Sequence, residues 1–111
     1  MSITKLVFIR AKKGYEEALG RLLMTLVEPS RAEPLCIDYD LHRAQDDPAL
    51  WFIYQNWTEE QGFAAHLKKP ALRACIRDAR HMVEASMNMK PFVMLSQPVR
   101  NRSDEDEAMV A

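Results

Sequence analysis

Leu50-Trp51-Phe52-Ile53-Tyr54-Gln55-Asn56-Trp57 is bulky on both faces of a strand: odd positions carry Trp51, Ile53, Gln55 and Trp57, even positions Leu50, Phe52, Tyr54 and Asn56. Side chains alternate across a strand, so one that is apolar on both sides needs cover on both sides. A chain of 111 residues has room for a single core. Helices supply the first cover, and the second is expected from another copy of the chain. Just beyond, Thr58 with Gln61 reads as a capping box for a short helix holding Phe63, Ala64, His66 and Leu67. An aromatic strand running into a helix with an imidazole predicts a dry pocket for a flat organic molecule.

Upstream, Thr4 to Ala11 reads as a first strand, broken by Lys12-Lys13-Gly14. Tyr15, Leu19, Leu22, Leu23, Leu26 and Val27 then draw one helical stripe, which Pro29 and Pro34 end. In the second strand Leu35, Ile37, Tyr39 and Leu41 share one face, and Cys36, Asp38, Asp40 and His42 the other. Gln45-Asp46-Asp47-Pro48 is a turn. Downstream, Pro70 suits the first turn of a helix with Leu72, Cys75, Ile76, Ala79, Met82 and Val83 on one side. Lys90-Pro91 introduces a last strand, Phe92 to Leu95. The order β-α-β-β-α-β predicts an α+β, ferredoxin-like split βαβ domain over residues 1–97 with an antiparallel sheet, one face of which is left for dimerisation. Residues 98–111, with the run Asp104-Glu105-Asp106-Glu107, read as a flexible polar tail.

A formal charge of -1 gives no reason to expect nucleic acid or an anionic membrane surface as partner. No apolar run reaches the roughly 18–20 residues that span a bilayer, and the start lacks a signal-peptide pattern. A cytoplasmic protein is expected. Cys36 and Cys75 are too isolated for a zinc site or a disulfide framework. The three histidines share no metal motif, so no metal is expected. With glycine only at positions 14, 20 and 62, no phosphate-binding loop exists. Chemistry must come from acid–base groups in an apolar cavity.

His66 is the candidate catalytic base, because an imidazole can take a proton from a phenol near neutral pH. His42 and His81 read as solvated. Trp57 and Tyr54 have opposite parity, so at most one of them reaches a given pocket. Tyr39 lies among apolar neighbours, and its hydroxyl needs a partner that a substrate or water can supply. Arg31 and Glu33 flank the break after the first helix. Their simplest role is a local ion pair; alternatively Arg31 holds an anionic substrate oxygen.

The landmarks Lys12-Lys13-Gly14, Arg31-Ala32-Glu33-Pro34-Leu35-Cys36-Ile37-Asp38-Tyr39, Asp46-Asp47-Pro48, Phe52-Ile53-Tyr54-Gln55-Asn56-Trp57 and His66-Leu67-Lys68-Lys69-Pro70 occur in order across residues 3–97. In these the chain resembles the antibiotic biosynthesis monooxygenase (ABM) family. The resemblance implies a ferredoxin-like homodimer whose sheets form an α+β barrel. It departs from the family at Leu35, usually glycine, at Gln55, commonly glutamate, and at Ala71, often histidine.

The nearest class implied is the quinol monooxygenases, which oxidise a small aromatic with molecular oxygen and no cofactor. In that reading His66 is the base, Trp57 and Tyr39 shape the substrate pocket, and Gln55 or Arg31 holds a substrate oxygen. Two alternatives stay open. One is an isomerase or degrading enzyme for a small phosphorylated signalling molecule, for which Lys68, Lys69 and Arg73 would supply cations. The other is a non-catalytic dimeric ligand-binding domain. A haem-degrading relative would use a first-strand asparagine, and Ile3 to Ala11 contains none.

Overall fold

The computed structural model describes residues 2–84 and 88–96. The elements are β1 (Ile3–Arg10), α1 (Glu16–Met24), α2 (Val27–Arg31), β2 (Cys36–Arg43), β3 (Leu50–Trp57), α3 (Glu60–Leu67), α4 (Pro70–Ala79) and β4 (Asn88–Val93). The four strands form one sheet in the order β2-β3-β1-β4, every neighbouring pair antiparallel. This is the ferredoxin-like arrangement, with each βαβ unit split by a strand from the other half. The acidic tail at 98–111 lies outside the described residues.

Register explains where the core sits. Leu41, Ile53, Val7 and Met89 form one row across the sheet, and Tyr39, Gln55, Lys5 and Pro91 the next. These rows lie on the face that the helices cover, where Leu19, Leu23, Leu26, Val27, Phe63, Leu72 and Cys75 complete the buried cluster. The opposite face of β3 and β1 is aromatic and has no covering helix among the described residues. Phe8 stacks on Phe52 with centroids 5.4 Å apart, and His42 lies 4.6 Å from Phe52.

Five expectations are corrected. The helix begun at Pro70 ends at Ala79, and Val83 instead forms a bridge with Ala11. The first helix divides, because Pro29 has no N–H for the Thr25 carbonyl and its ring would strike that carbonyl. The chain tightens at Thr25 and Leu26, whose amides bond to Leu22 and Leu23, and restarts as α2 with Pro29 in its first turn. The capping box at Thr58 does not form: Glu59 is the cap residue, and the Thr58 amide is already tied to the Leu35 carbonyl at 2.9 Å. Cys36 pairs with Trp57 while Asp38 pairs with Asn56, so the bulged Ile37 flips the alternation and turns Cys36 toward the core. The last strand is Asn88–Val93 rather than Phe92–Leu95. Its Pro91 is tolerated because β4 is an outer strand.

Leu35 stands where a glycine was expected, and Gly62 on α3 provides its space. A Cβ at Gly62 would lie 2.7 Å from the Leu35 Cβ and 3.2 Å from the Trp57 ring. The glycine thus lets the helix carrying His66 close onto β3 and the loop before β2.

Candidate active site

Between the sheet and the helices lies a cavity of about 460 Å³, within the range that holds small organic ligands. Its wall is almost wholly apolar. Val7, Ile53, Leu23, Phe63 and Leu72 are typical, and the polar exceptions are Tyr39, Gln55, His66 and Arg80. The helix periodicity that buries α3 and α4 also sets His66 inward: Gly62, Phe63 and His66 are the buried residues of α3.

The His66 side chain is only 3% exposed. Its Nδ1 lies 2.7 Å from Glu33 Oε2. Glu33 comes from the loop after α2, and its side chain is 10% exposed. A carboxylate in that position accepts a hydrogen bond from Nδ1–H and leaves Nε2 as the nitrogen able to take a proton from a ligand. The imidazole is packed 4.9 Å from the Trp57 ring and 5.5 Å from the Tyr39 ring, measured between centroids. An imidazolium formed here would have its charge balanced by Glu33.

Trp57 Nε1 donates to Gln55 Oε1 at 2.9 Å. An indole N–H can only donate, so this contact assigns the amide oxygen to the tryptophan and leaves the Gln55 NH₂ as a donor. Tyr39 is buried beside it on β2 and has its phenol pushed up to about 12, chiefly by burial, with a hydrogen bond from Ser30 opposing the shift. At neutral pH the Tyr39 hydroxyl is therefore a proton-bearing donor. Base, neutral amide and neutral phenol thus line one apolar space.

Two sequence candidates sit elsewhere. Trp57 is fully buried and is not part of the cavity wall; it anchors Gln55 and backs the His66 ring. Arg31 turns away from the cavity. Its Nε donates to the Tyr39 carbonyl at 3.0 Å, and its other nitrogens meet Asp40 at 2.9 Å and Glu28 at 3.5 Å. The guanidinium fastens α2 to β2 and so fixes the segment bearing Ser30 and Glu33. Lys68 and Arg73 also lie off the cavity, while Lys69 borders a separate hollow of about 330 Å³ on the Glu33 side of His66.

The role of Glu33 escaped the sequence reading because it precedes His66 by 33 positions and carries no local pattern. The glutamine at position 55, in place of a carboxylate, is the available hint that a carboxylate elsewhere orients the imidazole. Ser30 and Arg80 gave no signal at all.

Residues 2–78 match the antibiotic biosynthesis monooxygenase family. Among solved structures, PA3566 from Pseudomonas aeruginosa is 28% identical with a TM-score of 0.81, the alignment covering 86% of this chain and 95% of that one. Protein SO0527 from Shewanella oneidensis is 25% identical, TM-score 0.78, over 82% and 88%. Rv0793 from Mycobacterium tuberculosis shares the fold at TM-score 0.82 with 16% identity, over 87% and 98%. An uncharacterized Synechocystis protein, sll1783, is 21% identical over 84 residues. That match takes in 76% of this chain and spans 57% of the Synechocystis protein, less than two thirds of its length.

Proposed function

The chain belongs to the antibiotic biosynthesis monooxygenase family, and from that premise we propose that it oxidises a quinol, polyphenol or similar small aromatic with molecular oxygen. The observation that carries this reading is the Glu33-held imidazole of His66 on the wall of an apolar cavity. Oxygen, a triplet, reacts poorly with closed-shell molecules unless they give up an electron readily. Transfer of a phenolic proton to His66 Nε2 makes such a donor, and Glu33 stabilises the imidazolium that results. The Gln55 NH₂ and the Tyr39 hydroxyl are neutral donors suited to the developing oxyanion. The apolar wall keeps competing water out.

The stoichiometry needs no outside reductant. A quinol and one O₂ give a hydroxylated quinone and one water: one oxygen atom enters the ring, and the other is reduced at the quinol's expense. The glutamine at position 55 suits this chemistry, since a donor stabilises the phenolate that a second carboxylate would repel. The phosphate-directed alternative is less well supported, because Lys68, Lys69 and Arg73 lie off the cavity wall.

The same reading gives the open aromatic face of the sheet to a second copy of the chain, forming a homodimer. No helix among the described residues is long and apolar enough to cross a membrane.

Oxygen uptake by the metal-stripped protein across a panel of quinols and polyphenols tests the activity. Uptake above autoxidation, with one labelled atom from ¹⁸O₂ in the product, is expected. Binding without uptake would leave a ligand-binding domain and overturn the oxygenase reading.

A further inference from the structure

The cavity runs alongside α4. Leu72, Cys75, Ile76, Ala79 and Arg80 line it on successive turns of that helix. Leu72 also borders the hollow beside His66 and Glu33, which places the base at that end. Arg80 follows the last turn. From Leu72 to Arg80 the helix rises about 12 Å, at 1.5 Å per residue. That is longer than a single aromatic ring, so a ring seated at His66 leaves the distal part of the cavity for something else.

The two ends differ in chemistry. Near His66 stand the uncharged donors Gln55 and Tyr39. At the far end Arg80 is exposed and makes no ion pair among the described residues. Among the described residues, Arg80 is the one lysine, arginine or carboxylate side chain of the cavity wall. One turn back on the same helix face, Ile76 is apolar and 38% exposed. A guanidinium matches a planar carboxylate with two parallel N–H donors.

Resting on the aromatic-substrate reading for the His66 end, we propose that the ligand is an amphipathic phenolic acid. Its ring hydroxyl meets His66, an apolar linker follows α4, and a carboxylate at the far end is received by Arg80. Arg80 is then a specificity-determining residue that takes no part in the proton transfer.

The test uses binding rather than turnover. A series of 4-hydroxyphenyl alkanoates of increasing chain length, each with its methyl ester, is titrated calorimetrically into the wild-type chain and Arg80→Gln. The acids are expected to bind about tenfold more tightly than the esters at an intermediate chain length, with the preference shrinking in high salt and absent in Arg80→Gln. Equal affinity of acid and ester, an unchanged preference in Arg80→Gln, or no binding by either series would overturn the proposal. A preference that depends on Arg80 in a protein showing no oxygen uptake would uphold this assignment while removing the oxygenase reading, so the two fail separately.

Discussion

Adding a single methyl group at Gly62 is expected to destabilise the domain through Leu35. The new Cβ would sit 2.7 Å from the Leu35 Cβ and 3.2 Å from the Trp57 ring. Neither neighbour is the loose end of a flexible chain, since one is bound directly to the backbone and the other is a fully buried ring. Overpacking of this kind costs about 1–3 kcal/mol. Replacing glycine in a helix by alanine returns at most about 1 kcal/mol, and less in a first turn. The net loss for Gly62→Ala is therefore about 1–2 kcal/mol, equivalent to roughly 5–10 °C in a domain of this size. Because His66 lies one turn further along the same face of α3, a displaced helix should also weaken the 2.7 Å contact with Glu33. Urea unfolding gives the stability, and the Nδ1 proton resonance of His66 reports the contact. In a Leu35→Gly background the closer contact is gone and only the 3.2 Å approach to Trp57 remains, so the same alanine should cost clearly less. An equal penalty in both backgrounds would refute the reasoning.

Other perturbations separate the parts of the site. Gln55→Leu leaves the Trp57 indole N–H buried without its acceptor and should cost about 1–3 kcal/mol by urea unfolding, while Gln55→Glu, which keeps an acceptor, should cost less. Tyr39 is held protonated by burial, with a folded value of about 12 against an ordinary value of 10.0. Its contribution of about 2–3 kcal/mol is therefore fully present below pH 10 and is lost as pH rises toward 12. Subtracting the stability–pH curve of Tyr39→Phe from that of the wild type should expose this fall, and parallel curves would contradict it. Glu33→Gln should shift His66 from one ring tautomer toward a mixture, read from its ¹⁵N shifts, without unfolding the domain.

Much of the fold was legible because its signals are local or periodic. Leu50–Trp57 alternates cleanly enough to fix a whole strand, and Pro70 marks the start of α4. The elements read differently are those where a distant contact decides. Thr58 looked like a helix cap until its amide was claimed by Leu35, and the parity of Cys36 depended on a bulge set by pairing with β3. The site followed the same division. His66 and Tyr39 could be singled out from helix position and strand parity, and Gln55 from the resemblance to the family. Glu33 could be linked to His66 only after the loop following α2 was laid against α3. Arg31, attractive in sequence as an anion holder, is drawn off by the Tyr39 carbonyl and Asp40, partners that only the packing of α2 on β2 supplies.

The central claim is that an imidazole oriented by Glu33 starts the oxidation by taking the substrate's proton. The most direct measurement is oxygen uptake on a quinol that the wild-type protein turns over, made side by side with His66→Ala and Glu33→Gln after each variant has been verified as folded. The account predicts that His66→Ala falls to the autoxidation rate. It predicts that Glu33→Gln keeps part of the activity, with slower turnover at every pH, because the glutamine can still accept the Nδ1 hydrogen bond but cannot balance the imidazolium. Wild-type turnover in His66→Ala would contradict it.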